Sequence, residues 1–328
     1  MAIKLTAKLK KLIALTVAGI FPVLVAGCVT TSGRSPSPAY TGDFPDPSVL
    51  RVGPTYYAFA TEAIGGHPAI QRLTSTDMRA WRAPDVPDAL QALPSWSDGT
   101  GNWAPQVQQL GNAFLLYYST HQRDGHECLS VAHAVTPADQ FVDTSTQPLL
   151  CLPNGETIDP SPFIAPNGQR YLAWKGPAGT RGVATIYTQK LTADGLHLIP
   201  GTRGELMKAK PTGWTRYNIE APTVMFVGGR WLLFYSGGNY WQSTYSMGYA
   251  VCRGPSGPCT DMSAKKPWVG AHNGANGPGG ESFFLDGNGK LEMAYHAWGS
   301  TLGYSNGGIR HMWIDEIKIV DGLPIFPR

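Results

Sequence analysis

Five times along the chain an apolar run, a tight turn and an aromatic-rich stretch follow one another. The segments are SVLRVGPTYYAFAT just after Asp46, APQVQQLGNAFLLYYST after Trp103, PSPFIAPNGQRYLAWKG after Asp159, APTVMFVGGRWLLFYSG after Glu220 and SFFLDGNGKLEMAYHAW after Glu281. Beyond each turn aromatics alternate with small or apolar residues, as in half-buried strands whose successive side chains face opposite sides. The turns carry Gly53-Pro54, Gly111-Asn112, Asn167-Gly168, Gly228-Gly229 and Gly287-Asn288-Gly289, residues suited to hairpins because they adopt positive φ cheaply. The echoes recur roughly every sixty residues, a length that suits one four-stranded antiparallel blade of a radial propeller. Few stretches show a helical period. The pattern therefore predicts an all-β chain, a five-bladed β-propeller with four-stranded antiparallel blades around a central axis. An acid opens units one, three and four at the same place, and equivalent places in a propeller converge on the axis.

Composition agrees with this picture. The 39 Gly, 27 Pro and 11% aromatic residues favour turns and strands over helices. Hydrophobic content of 42% and charged content of 15% fit a globular chain with a substantial core.

The first residues read differently. Lys4, Lys8, Lys10 and Lys11 form a positive head, an apolar stretch runs from Leu12 to Ala26, and Gly27-Cys28 follows, the layout of a secretory signal. Val25-Ala26-Gly27-Cys28 resembles a bacterial lipobox, in which cleavage falls before a Cys that carries a diacylglycerol. The stretch from Val29 to Gly42, rich in Ser, Thr, Pro and Gly, reads as a tether. The expected organisation is a lipoprotein-type signal over 1–27, a tether over 28–42 and the propeller over 43–328. The location that follows is the bacterial cell envelope, lipid-anchored through Cys28, with a plain secreted protein as the alternative. Loss of residues 1–27 removes four lysines and no acid, which turns a formal charge of +3 into −1. The basicity belongs to the signal, and nothing argues for nucleic-acid binding.

Cysteine usage also points to export. Beyond Cys28 an even four remain. Cys252 and Cys259 flank RGPSGP, a turn a disulfide could staple, which leaves Cys128 and Cys151 to pair in the second unit. Such bridges belong to an oxidising compartment. No Cys/His spacing suggests zinc, no Gly-x-Ser-x-Gly elbow is present, and no dinucleotide or phosphate loop occurs.

An ordered set of segments resembles glycoside hydrolase family 43 over nearly all the chain after Gly42. They are Phe44-Pro45-Asp46-Pro47-Ser48 with Tyr56-Tyr57, Ser75-Thr76-Asp77-Met78-Arg79-Ala80-Trp81, and Trp103-Ala104-Pro105. Then follow Ile158-Asp159-Pro160-Ser161-Pro162-Phe163, Ile219-Glu220-Ala221-Pro222, Tyr295-His296-Ala297-Trp298 and a closing Arg310. The propellers of families 32 and 68 share the architecture, but their Asn-Asp-Pro-Asn-Gly opening is absent.

The resemblance implies an inverting glycoside hydrolase acting on arabinose- or xylose-containing glycans, with α-L-arabinofuranosidic linkages the commonest in the family. Cleavage with inversion needs two carboxyl groups about 6.5–9.5 Å apart, one to deprotonate a water and one to protonate the leaving oxygen. The resemblance makes Asp46 the general base, Glu220 the general acid, and Asp159 the neighbour that keeps Glu220 protonated and in place. Each acid has a plainer reading. Asp46 and Asp159 sit in Asp-Pro turns, where Asp is common, whereas Glu220 precedes Ala-Pro and an apolar strand and has no such excuse. As a set at repeat positions the three favour chemistry. Asp43 is assigned to the loop leading into the first blade.

Trp103 would line the pocket and pack on a sugar face, and Arg310 would bind sugar hydroxyls in the innermost subsite. Trp241, with Tyr240 and Tyr245, would stack on sugars at the rim. His296 is a further substrate-site candidate. The family often holds a cation or water near the axis through a His in a Gly-His-Asn-Ser-like segment. Here the segment reads Gly277-Pro278-Gly279-Gly280-Glu281-Ser282, without that His. No cofactor is required for the chemistry, no metal ligand is assigned, and a structural calcium would have to rely on His272 or His296. The chain reads as a monomer whose partners are an oligo- or polysaccharide and a membrane. The readings that compete with an arabinofuranosidase are a β-xylosidase or endo-arabinanase of the same family and a propeller that binds carbohydrate without cleaving it. Loss of one acid of the trio would have favoured the last.

Overall fold

The computed structural model describes residues 37–153, 156–177 and 182–327. The signal, the lipobox Cys28 and the tether as far as residue 36 lie outside the described residues. Among the described residues no helix is long and apolar enough to cross a membrane.

Five antiparallel sheets follow one another along the chain. The first holds β1 (Ser48–Val52), β2 (Thr55–Ala60) and β3 (Gln71–Ser75). The second holds β4 (Trp103–Leu110), β5 (Ala113–His121), β6 (Glu127–Ala134) and β7 (Leu150–Cys151). The third holds β8 (Ile158–Ile164), β9 (Arg170–Gly176), β10 (Thr185–Lys190) and β11 (Gly204–Lys208). The fourth holds β12 (Ile219–Val227), β13 (Arg230–Gly237), β14 (Ser246–Cys252) and β15 (Cys259–Asp261). The fifth holds β16 (Asn276–Leu285), β17 (Leu291–Trp298) and β18 (Arg310–Glu316), and a hairpin of β19 (Lys318–Val320) and β20 (Leu323–Ile325) ends the chain. This is the five-bladed β-propeller, and the five quoted segments are the first hairpins of its blades.

The blades are not uniformly four-stranded as expected, because the first and fifth have three. In blade one the fourth place is held only by isolated bridges, Gln71 with Asp88 and Thr74 with Arg82. Pro84 and Pro87 lie in that stretch and have no N–H to give a ladder. In blade five the fourth place is taken from the other end of the chain. Ala39 N and Tyr40 N donate to Met312 O at 2.8 and 3.1 Å, and Phe44 N donates to Arg310 O at 2.8 Å. Residues 39–42, placed with the tether by the sequence reading, thus belong to the ring closure.

The core is divided among the blade interfaces. One apolar cluster joins Phe59 of blade one to Phe114, Leu116 and Tyr118 of blade two. Leu115 and Tyr117 on the opposite face of β5 meet Leu172 and Trp174 of blade three. Phe163 and Ile186 meet Leu233 and Tyr235, Met247 meets Met293 and Tyr295, and Phe44 and Ala58 meet Phe284 and Met312. Each blade is therefore buried on both faces, which explains why the second strands read as near-continuous apolar runs rather than simple alternation. The two expected disulfides form, Cys128–Cys151 between β6 and β7 and Cys252–Cys259 between β14 and β15.

Candidate active site

In blades two to five the innermost strand breaks register where the echoes begin. The ladder shifts between Trp103 and Gln106, between Ile158 and Ser161, between Glu220 and Thr223, and on both sides of Gly279. Each break carries a left-handed residue: Ala104 (φ 46°), Asp159 (φ 59°), Ala221 (φ 50°) and Gly280 (φ 63°), with Asp46 (φ 52°) as the counterpart before β1. A bulge sets two residues against one and re-aims both. Aligned on these residues and on the prolines that follow them (Pro47, Pro105, Pro160 and Pro222), Glu220 stands one position ahead of Asp46 and Asp159. The sequence reading put all three acids at the same place. The bulge lets the two successive positions both reach the cavity, so Glu220 joins from the neighbouring register.

A non-glycine residue in the left-handed region costs about 1–3 kcal/mol and persists only where its surroundings hold it. Here each such N–H is taken by the preceding blade. Asp46 N donates to His296 Nδ1 at 3.1 Å, Ala104 N to Thr61 Oγ1 at 2.9 Å, Asp159 N to Ser119 Oγ at 3.0 Å, Ala221 N to Asp159 Oδ2 at 2.8 Å and Gly280 N to Ser236 Oγ at 2.9 Å. These five bonds tie the ring together around the axis and fix the directions of the acids.

A cavity of about 590 Å³ brings Asp46, Asp159, Glu220, Trp103, Trp241 and Arg310 onto one wall-to-wall surface. Asp46 accepts from Thr61 Oγ1 at 2.7 Å, and Arg310 Nη1 lies 3.6 Å from its Oδ2. Burial alone would raise its pKa, but the Arg310 guanidinium above all, with the Thr61 hydroxyl, outweighs burial and holds the carboxyl well below the ordinary range. Asp46 is a carboxylate.

The other two acids form a coupled pair. Burial first, and the Glu220 charge second, push Asp159 well up. Glu220 feels the same burial, yet it receives three donors: Lys175 Nζ at 2.9 Å, Asn218 Nδ2 at 2.9 Å and Tyr245 OH at 2.7 Å. Lys175 above all outweighs burial and draws Glu220 down. These contacts favour the pair's proton on Asp159. The sequence reading had expected it on Glu220, and the difference comes from Lys175, whose role the sequence reading did not foresee.

Trp103 lines the cavity, with Nε1 donating to Glu62 Oε1 at 3.2 Å and its ring edge-on to His121. Arg310 donates from Nε to Tyr304 OH at 3.0 Å and lies against the rings of Tyr240, Trp298 and Tyr304. Trp241 is 52% exposed beside Tyr240 at the rim. Tyr245, grouped with them from the sequence, is instead buried against Glu220. His296 is fully buried behind Asp46, with Nδ1 3.1 Å from both the backbone N and Oδ1 of that residue. Burial, with Arg310 adding to it, keeps the ring neutral. Asp43 is more than a loop residue: its Oδ1 accepts Arg310 N at 2.8 Å, and Tyr304 OH lies 3.2 Å away.

The residues present do not fit a cation held by a His of the fifth-blade segment. Gly280 stands there, and a Cβ on it would lie 2.6 Å from both Asp46 Oδ1 and His296 Nδ1. His272 faces Tyr295 and Phe326 in the outer core. Among the described residues no group of three or more His, Cys, Asp or Glu is placed to hold a metal.

Similar proteins share the whole ring. The chain is 24% identical to the extracellular endo-alpha-(1->5)-L-arabinanase 1 of Bacillus subtilis, over 92% of this chain and 95% of that one. A solved thermostable family-43 glycoside hydrolase superposes with a TM-score of 0.76 and 26% identity, covering 88% of this chain and 94% of that one. An endo-1,4-beta-xylanase from Bacteroides thetaiotaomicron gives 0.75 and 26%, covering 90% and 97%. The family model described as glycosyl hydrolases family 43 matches residues 35–324, a span that takes in all five blades and the cavity's acids. The chain therefore belongs to family 43 and is a glycoside hydrolase.

Proposed function

We propose that this enzyme hydrolyses arabinose- or xylose-containing glycans with inversion, α-L-arabinofuranosidic linkages foremost. The observation that carries the reading is the convergence of three carboxyls on one cavity: Asp46, held by Thr61 and Arg310, and a neighbouring pair, Glu220 bonded by Lys175 and Asp159 bonded to the backbone that follows Glu220. Asp46 takes a proton from a water, and the water oxygen bonds to the anomeric carbon. The bond from that carbon to the leaving oxygen breaks as Glu220 delivers its proton there. Asp159 supplies negative charge beside Glu220 and, through Ala221 N, fixes the backbone that follows it. Arg310 binds hydroxyls in the innermost subsite, Trp103 packs on a sugar face, and Trp241 stacks at the rim. The arabinanase and xylanase named above support the sugar class.

The test is a panel of aryl arabinofuranosides, xylosides and galactofuranosides beside linear and branched arabinan and arabinoxylan, run with a Glu220→Gln variant. Activity on one member, lost in the variant most severely for poor leaving groups, is the expected result. Silence across the panel with tight oligosaccharide binding would turn the reading to a non-catalytic binding propeller.

The same reading places the enzyme outside the cytoplasm, anchored by a lipid on Cys28. The two disulfides and the extracellular relative support export. A Cys28→Ser variant should appear in the soluble fraction, and a variant that stays with the membrane would count against the anchor.

A further inference from the structure

One position in the inner ring breaks the pattern of the other four. In the first hairpins Ser119 lies opposite Trp103, Ser236 opposite Glu220 and His296 opposite Gly279, while Thr61 N bonds Pro45 O at the matching place in blade one. Thr61, Ser119, Ser236 and His296 each accept the left-handed N–H of the next blade. Opposite Ile158 the residue is Lys175. An ammonium has three donors and no acceptor, so it cannot take Ala221 N. Asp159 Oδ2 takes that N–H instead, and Lys175 reaches across the blade boundary to Glu220.

Lys175 is 5% exposed, and a buried ammonium needs counter-charge. It has two partners, Glu220 and Glu156, the second on the loop before β8 with half its side chain in solvent. Asp159 and Glu127 also face it. Glu220 in turn is faced by Asp159 from β8, Tyr245 from the segment before β14, Asn218 from the lead-in to β12, Glu281 from β16 and Lys175 from β9. Lys175 bonds Glu220 directly and acts on Asp159 through its charge.

We propose that Lys175 is a positioning residue of the hydrolytic site, an ammonium shared between Glu220 and Glu156 that decides whether Glu220 or Asp159 carries the pair's proton. The proposal rests on Glu220 being the acid. Bound closely to Glu220, Lys175 leaves the proton on Asp159. Drawn toward Glu156, it lets Glu220 hold the proton it must deliver. The two glutamates therefore pull the site in opposite directions, which a merely structural lysine would not do.

The experiment is the pH dependence of kcat/KM on an aryl glycoside with a poor leaving group, for the parent enzyme, Lys175→Met and Glu156→Gln. The alkaline limb reports the acid in the free enzyme. Removing the cation favours protonated Glu220, so Lys175→Met moves that limb up, by about 1–3 pH units on the usual scale for a lost opposite charge. Removing Glu156 leaves the ammonium to Glu220 alone, so Glu156→Gln moves the limb down. The acid limb stays in both, because Asp46 is held by Arg310 and Thr61. Limbs that do not move, or that move in one direction in both variants, overturn the proposal. Should Lys175→Met fail to fold, Lys175→Gln, which keeps a polar tip without the charge, takes its place, because a downward shift in Glu156→Gln alone would also follow from the loss of a nearby anion. Glu220→Gln runs alongside: a loss that grows with the basicity of the leaving group upholds the acid, so unmoved limbs then sink only the role of Lys175. Without that dependence the assignment of the acid itself fails.

Discussion

Asp159 Oδ2 accepts the backbone N–H of Ala221 at 2.8 Å, so the carboxyl of one blade holds the strained residue that follows Glu220 in the next. The bond couples where Glu220 points to whether Asp159 is intact. Asp159→Asn keeps an oxygen for that N–H but removes the charge and the shared proton. Its kcat should fall about 10²-fold or more, within the range for acid–base groups, while thermal stability changes little. Asp159→Ala should lose the same activity and stability as well. Steady-state kinetics with melting curves on both variants separates charge from support.

Arg310 stands against Asp46 at 3.6 Å, and its guanidinium is a main reason that carboxyl stays ionised. Replacing it with Met lets burial act unopposed by that charge, so the pKa of Asp46 rises. A base must be deprotonated, so the acid limb of kcat/KM should move up by about 1–3 pH units, together with a higher KM. A higher KM with an unmoved acid limb would confine Arg310 to substrate binding.

Glu281 is a fourth acid at the axis, 1% exposed, accepting Ser236 Oγ at 2.7 Å with its other oxygen unpartnered. Burial, against the pull of the Ser236 bond, pushes it from 4.5 up to about 8. In that window the folded chain holds a proton that the unfolded chain has released. Stability therefore falls as pH rises from 4.5 to about 8. Glu281→Gln mimics the protonated form. Its melting temperature should exceed the parent's at the alkaline end of the window by more than at the acid end, with activity retained.

Gly280 has room for no side chain, since a Cβ would sit 2.6 Å from Asp46 Oδ1 and His296 Nδ1 and its φ is +63°. Gly280→Ala should destabilise by roughly 1–3 kcal/mol and displace Asp46, lowering kcat without a matching change in KM. Denaturant unfolding beside kinetics checks both parts.

Much of this was legible from the chain. Hairpin turns at regular intervals, with apolar runs on both sides, sufficed for five blades, and Asp-Pro and Glu-Ala-Pro segments pointed to the cavity's acids. What stayed hidden depends on backbone conformation and on distant contacts. The left-handed residues that shift Glu220 by one register leave no mark in hydrophobic periodicity. Lys175 lies inside the run LAWKG and meets Glu220 across 45 residues, so its burial beside an acid cannot be read from its neighbours. A signal was nonetheless present. Thr61, Ser119, Ser236 and His296 end the same aromatic stretches at the same place, and a lysine among them stands out once the five are aligned. Tyr245 looked like a rim aromatic because its loop is aromatic, but only the fold turns it inward.

The most direct test of the account is the anomeric configuration of the first sugar released, followed by proton NMR before mutarotation. Direct displacement by a water that Asp46 activates gives the anomer opposite to the substrate's, and Asp46→Asn abolishes its formation while sugar binding persists. Release of the anomer with retained configuration would contradict the assignment of Asp46 as base and require a covalent intermediate instead.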